Sequence, residues 1–299
     1  MLDLEDSLHD VLKLAKELKE GKYRDAAPLR GKKLAMIFEK SSTRTRVSFE
    51  VGMLELGGHA LNLSMKDLQL GRGETVADTA KVLSRYVDGI MYRSYQHGMM
   101  LDLAKNATVP VINALDDVEH PCQILADLLT VMEYKKSLKG KKMVYVGDGN
   151  NVCNSLMLGC AMSGMDFVAA CPKGYEPDAK LTKKAKALAK KYDASVNIIE
   201  DPLEAAKGAD AIYTDVWVSM GQEAEAAERE KVFMPYQINA KMMSKAKKGA
   251  IVLHCLPAHR GMEISADVMD GPQSVVFDQA ENRLHVQKAL LVKVLGGKC

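Results

Sequence analysis

The sequence predicts an α/β protein made of two doubly wound domains, each a parallel sheet covered by helices on both faces. Three observations predict it. Short apolar runs alternate with helical patterns along the chain. Those runs are apolar throughout rather than alternating, as strands buried on both faces must be. The 299 residues are two domains' worth at roughly 100–200 residues each.

The elements follow in order. Asp6-Ser7 opens a helix in which Leu8, Val11, Leu12, Ala15 and Leu18 recur at helical spacing. Leu34 to Phe38 reads as a buried strand. The run Ser41-Ser42-Thr43-Arg44-Thr45-Arg46 then opens a helix carried by Phe49, Met53 and Leu56 and ended by Gly57-Gly58. Gly89–Tyr92 and Val109–Ile112 are further strands, and Ile124–Tyr134 a helix. Met143–Val146 is a strand that runs into Gly147-Asp148-Gly149, with a helix from Asn151. A strand at Phe167–Ala170 and a lysine-rich helix at Asp178–Lys191 come next. Strands are expected at Val196–Ile199, Ala211–Thr214, Ala250–His254 and Val275–Phe277, and a closing helix at Leu284–Leu295. Gly221 to Arg229 reads as a mobile loop or short helix. The polar stretch Lys135 to Gly140 is the expected domain break, giving 1–137 and 138–283.

Composition narrows the function classes. A net charge of +2 lacks the concentrated basic surplus that a general nucleic-acid binder needs. No apolar run reaches the roughly 18 residues of a membrane-spanning helix, so no membrane partner is expected. The six cysteines, Cys122, Cys153, Cys160, Cys171, Cys255 and Cys299, show neither C-x-x-C nor zinc-finger spacing. Scattered thiols and the lack of an N-terminal targeting pattern point to the reducing cytoplasm.

The unusual residues gather where strands end, which is where open parallel sheets bind ligands. Ser41 to Arg46 follows a strand and opens a helix. Its free backbone N–H groups, the hydroxyls of Ser42, Thr43 and Thr45, and the Arg44 guanidinium suit a phosphate better than a plain helix cap needs. His120-Pro121-Cys122-Gln123 precedes a helix; Pro121 suits its first turn, and His120 and Gln123 can both donate to an oxygen. Alone this cluster is weak. Gly147-Asp148-Gly149-Asn150-Asn151 invites a dinucleotide reading, but Val152 stands where that fingerprint has Gly or Ala, which demotes an NAD-dependent oxidoreductase. Asp215-Val216-Trp217-Val218-Ser219-Met220-Gly221 places a carboxylate that can hold an amine, or simply sit solvated in a loop. In His254-Cys255-Leu256-Pro257, Cys255 is either a small buried apolar residue or a functional thiol, and the neighbouring His and Arg favour the second. His254, Cys255 and His259 lack a fourth ligand for structural zinc.

Together these clusters resemble the aspartate/ornithine carbamoyltransferase family over nearly the whole chain. Ser-Thr-Arg-Thr-Arg with His-Pro-x-Gln downstream looks like the family's carbamoyl-phosphate signature. The Ser219-Met220-Gly221 loop and His254-Cys255-Leu256-Pro257 look like its ornithine branch.

The resemblance implies that Ser42, Thr43, Arg44 and Thr45 hold the phosphate of carbamoyl phosphate. Arg93 and His120 polarise the carbamoyl oxygen, Gln123 bonds the amide, and Arg283 adds a contact. Gln69 reaches a neighbouring subunit's site. Asn151, Asp215, Ser219, Met220, Cys255 and Leu256 take L-ornithine, and Leu256–Pro257 is cis. It further implies transfer of the carbamoyl group to give L-citrulline and phosphate, in arginine biosynthesis or its reverse, with no metal or redox cofactor. The final helix, 284–299, is to pack back on the N-terminal domain, and the chain is to assemble as a homotrimer or a larger set of trimers. Putrescine and N-acetylornithine are rival acceptors, and a non-catalytic relative is a third reading.

Overall fold

The computed structural model describes all residues except 24–25, 67, 219–222 and 298–299. The chain divides into two compact units, one of Asp6–Ala126 with Glu281–Cys299, the other of Met1–Glu5 with Asp127–Ala280.

The first unit holds strands β1 (Lys33–Phe38), β2 (His59–Ser64), β3 (Gly89–Arg93) and β4 (Val111–Leu115). They form one parallel sheet in the order β2-β1-β3-β4. Helix α1 (Leu8–Lys19) precedes β1, helices α2 (Thr43–Glu55), α3 (Val76–Leu83) and α4 (His97–Asn106) connect the strands, and α5 (Pro121–Lys135) begins here. β1 and β3 are buried nearly throughout, because both faces are covered. Ala35, Ile37, Ile90 and Tyr92 pack with Ala80, Met100 and Leu103 as one core.

The second unit holds β5 (Lys142–Val146), β6 (Asp166–Ala170), β7 (Val196–Ile199), β8 (Ala211–Thr214) and β9 (Ile251–His254), all parallel, in the order β7-β6-β5-β8-β9. Its helices are α6 (Asn151–Met162), α7 (Ala179–Lys191), α8 (Pro202–Ala206), α9 (Ala226–Phe233), α10 (Ala240–Met243) and α11 (Ala266–Met269). α12 (Val276–Val294) closes the chain. Its later part lies in the first unit, where Lys288 Nζ bonds Glu55 Oε2 at 2.6 Å and Lys19 Nζ bonds Asn282 Oδ1 at 2.8 Å. The expected return of the last helix to the N-terminal domain is therefore present. Gly52 of α2 is where it packs, 3.3 Å from Lys288 Cγ as measured from the position a Cβ would take.

The predicted α/β class and parallel sheets hold, with corrections in detail. Val275–Phe277 is not a strand: Ser274 makes a single bridge to Val252, and α12 begins at Val276. A short apolar run suits either element, and Asp278 in the first helical turn favours the helix. β4 begins two residues and ends three residues later than expected. The edge strand β2 was not foreseen, because His59–Ser64 is largely exposed and lacks the continuous apolar run of a central strand. No described helix is long and apolar enough to cross a membrane.

Candidate active site

Each sheet has a point where its strand order reverses, and adjacent strands there send their chains to opposite faces. The crevice left at the strands' carboxyl ends is the usual ligand site. In the first sheet this point lies between β1 and β3. Ser42 follows β1, and Arg93 ends β3. In the second it lies between β5 and β8. Gly147–Asn151 follows β5, and Asp215 follows β8.

In the first unit, Ser42 is the N-cap of α2, extended at φ −159°, and its Oγ accepts from Thr45 N at 3.3 Å. Thr43 is exposed at the first helical position and Arg44 is half-buried. Arg46 turns away and pairs with Glu50 at 3.4 Å, so the second arginine of the run serves the helix surface. Thr45 is buried. Its Oγ1 accepts from Ser42 Oγ at 3.0 Å, Arg283 Nη2 at 3.2 Å and Arg93 Nη1 at 3.4 Å. Arg283 Nη1 also donates to Gln123 Oε1 at 2.8 Å. Arg283 thus joins Thr45 and Gln123, three expected site residues far apart in sequence.

His120 is buried just before α5. Burial first, then the cations Arg283, Arg93 and Arg44, hold its imidazole well below the usual histidine range. The ring is therefore neutral at pH 7 and can donate one N–H. Cys122 beside it is buried, and burial pushes its thiol up to about 11, so it stays uncharged. Gln69 is exposed at the start of a short 3-10 turn, Gln69–Arg72.

Two acidic residues that the sequence reading did not single out shape this cluster. Glu39, directly after β1, accepts from Tyr95 N at 2.7 Å, Ser94 Oγ at 3.3 Å and the Tyr92 hydroxyl, so it grips the residues on either side of Arg93. Asp116 is fully buried. It accepts from Asn113 Nδ2 at 2.8 Å and from the backbone of Val118 and Glu119 at 2.8 and 2.7 Å, and pairs with His97 Nδ1 at 2.7 Å. It thereby folds the loop that presents His120. The available signal was a charged residue at the end of an apolar strand.

In the second unit, Asn150 caps α6. Its Oδ1 accepts from Val152 N and Cys153 N at 3.0 and 3.1 Å. Its Nδ2 donates to Asp215 Oδ2 at 2.8 Å. Asn151 is the first residue of the helix. Asp215, nearly buried after β8, accepts on Oδ1 from Val216 N at 2.8 Å and from Cys255 Sγ at 2.9 Å. This places Asp215 in a bonded cluster rather than solvated in a loop. Ser219 and Met220 lie outside the described residues.

Leu256 takes a left-handed φ of +59°, and the Leu256–Pro257 bond is cis. His254 braces this turn: Leu256 N donates to its Nδ1 at 2.9 Å, which fixes Nε2 as the protonated nitrogen, bonded to buried Glu263 at 3.1 Å. Asp215, His254 and Cys255 bring three donor atoms within 4.8 Å of one another. Both ring nitrogens of His254 are engaged in bracing this turn, while Asp215 and Cys255 are bonded to each other at 2.9 Å.

One unit therefore offers a cationic, N–H-rich cradle for an anion with a carbonyl, the other a carboxylate and a thiol suited to an amine. Comparison with known proteins agrees with that division. The chain belongs to the aspartate/ornithine carbamoyltransferase family, whose carbamoyl-P binding domain matches residues 1–133 and whose Asp/Orn binding domain matches residues 139–294. Within it, the chain is similar to the anabolic ornithine carbamoyltransferase of Pyrococcus furiosus, 61% identical over 269 residues, 90% of this chain and 85% of that one. It is similar to the catabolic enzyme of Thermoplasma volcanium, 53% identical over 295 residues, 99% of this chain and 97% of that one. Among solved structures, the ornithine carbamoyltransferase from Pyrococcus furiosus superposes with a TM-score of 0.94 at 56% identity, over 99% of this chain and 96% of that one.

Proposed function

We propose that this chain transfers the carbamoyl group of carbamoyl phosphate to the side-chain amine of L-ornithine, giving L-citrulline and phosphate. The observation that carries the reading is the pairing, in one chain, of an arginine cradle around neutral His120 with an Asp215–Cys255 cluster. The donor domain in this reading is 1–137 with 284–299, and the acceptor domain is 138–283.

Carbamoyl phosphate is an activated mixed anhydride, so no covalent nucleophile is required. The tasks are positioning, oxyanion stabilisation and delivery of a neutral amine. Ser42, Thr43, Arg44 and Thr45, with the N-terminus of α2, hold the phosphate. Arg93 and His120 donate to the carbamoyl oxygen as it gains charge, each contributing about 3 kcal/mol by analogy with other oxyanion donors. Gln123 bonds the amide and is itself held by Arg283, which adds a contact to the donor.

The acceptor amine has an unperturbed pKa of about 10.4 and must lose a proton before it attacks. Asn151, Ser219 and Met220 bind the amino-acid end of ornithine. Asp215 and Cys255 orient the reacting amine beside Leu256 and disperse its proton. Phosphate leaves in the grip of Arg44 and can take that proton. The segment from Ser219 to Glu230 closes over bound ornithine and keeps water from the donor.

A homotrimer, or an assembly of trimers, completes the reading, with Gln69 serving a neighbouring subunit. Among the described residues Cys122, Cys153, Cys160, Cys171 and Cys255 form no disulfide, which suits the reducing cytoplasm. In arginine biosynthesis the site runs toward citrulline, and the same residues serve the reverse reaction.

The test is citrulline formation by purified protein from carbamoyl phosphate and L-ornithine, beside putrescine, N-acetylornithine and L-aspartate. Strong preference for ornithine is expected. Preference for another amine overturns the acceptor assignment, and no turnover with any of them overturns the reaction.

A further inference from the structure

We propose that Arg229 is a positioning residue for the acceptor site, a buried anchor that ties the turn after β5 to the segment after β8; this rests on the acceptor reading above. Arg229 lies in a polar stretch, yet it is only 3% exposed. Its Nε donates to the Trp217 carbonyl at 2.5 Å, and its Nη2 forms an ion pair with the Asp148 carboxylate. Glu225 lies 3.5 Å from Nη1. The guanidinium sits 5.1 Å from the centroid of Tyr175 and 5.2 Å from that of Phe233. Trp217, 2% exposed, stacks on Phe233 at 6.3 Å.

What this joins is the point. Asp148 stands two residues before Asn150, and Trp217 two residues after Asp215. Asn150 in turn bonds Asp215 at 2.8 Å. Arg229 closes a ring of contacts that runs through Asp148, Asn150, Asp215 and Trp217 and back to itself. The carboxylate that receives the amine is held from both sides of the sheet's reversal point. A lysine keeps the charge but cannot bond a carbonyl and a carboxylate at once while presenting a flat face to two rings.

The test compares wild-type protein with Arg229→Lys and Asp148→Asn in steady-state kinetics with ornithine and with lysine, which is one methylene longer. Carbamoyl-phosphate affinity is measured by calorimetry on the same samples. Arg229→Lys is expected to raise the ornithine KM at least tenfold and to narrow the ornithine-over-lysine ratio of kcat/KM, while carbamoyl-phosphate affinity stays within twofold. Asp148→Asn leaves Arg229 its Trp217 bond and ring contacts and is expected to change both readouts in the same direction by less. It carries the test should Arg229→Lys not fold. A lower melting temperature with unchanged ornithine KM and unchanged selectivity means Arg229 only stabilises the fold, and sinks the proposal. If wild-type protein makes no citrulline, the functional reading fails and takes this inference with it.

Discussion

Thr45 joins Ser42, Arg93 and Arg283, and through Arg283 it is linked to Gln123. Removing one cation from this cradle should strike the donor selectively. Arg44→Ala is expected to lower kcat/KM for carbamoyl phosphate roughly 100-fold or more, by loss of a charge-assisted contact. Turnover near normal at ordinary donor concentrations contradicts that role. Cys255→Ala is expected to raise the ornithine KM or slow the chemical step and to leave carbamoyl-phosphate affinity intact, which calorimetry and initial rates separate. His120 sets a pH dependence. Its folded pKa is depressed, so below the unfolded value of about 6.5 the unfolded chain binds a proton that the folded one refuses. Stability should therefore fall as the pH drops from 7 to 5, and His120→Asn should flatten that fall in urea titrations at both pH values.

Elements present these residues through their ends. α2 presents its N-terminal N–H groups because Ser42 caps it, and Gly57, at φ +82°, lets the chain turn left-handed where the helix stops. The turn after β5 is tighter. A Cβ on Gly149 would sit 2.2 Å from Pro177 N and 2.4 Å from Glu176 C, both backbone atoms that cannot swing aside. Gly149→Ala should destabilise the protein by about 1–3 kcal/mol and raise the ornithine KM by displacing Asn150 and Asn151. Urea unfolding and initial rates read the two effects, and a variant with wild-type values for both contradicts the assigned crowding. The strand ends and helix starts that carry Ser42, Asn151 and Asp215 were legible in the sequence, because apolar runs and capping residues are local signals. β2 was missed, because an exposed edge strand lacks an apolar run, and Val275–Phe277 was misread, because a three-residue apolar run suits strand or helix until its neighbours are placed.

For the molecule as a whole, the proposed trimer makes a specific demand on Gln69, which is exposed on its own chain. If Gln69 serves a neighbour, Gln69→Ala and Arg44→Ala chains spoil different halves of a shared site. Unfolding and refolding the two together should restore part of the activity that neither variant has alone. No recovery, in particles sedimenting at three times the 32.8 kDa chain mass, means each site is built within one chain.

By itself the sequence determined the α/β class, the parallel sheets, the ordered series of strand-end clusters and the family they resemble. These depend on periodicity and on neighbours within a few residues. Only the tertiary structure decided that Arg283 and Arg93 meet on Thr45, that Cys255 donates to Asp215, that Arg46 is a surface residue, and that Glu39, Asp116 and Arg229 brace the rest. A charge drawn out of water needs a partner, and the hydrogen-bond partners of Arg229, Glu39 and Arg283 lie 12 to 238 residues away along the chain. Nothing local to Arg229 or Glu39 says which strand end each will find. That is fixed when the sheets form and bring distant carboxyl ends side by side.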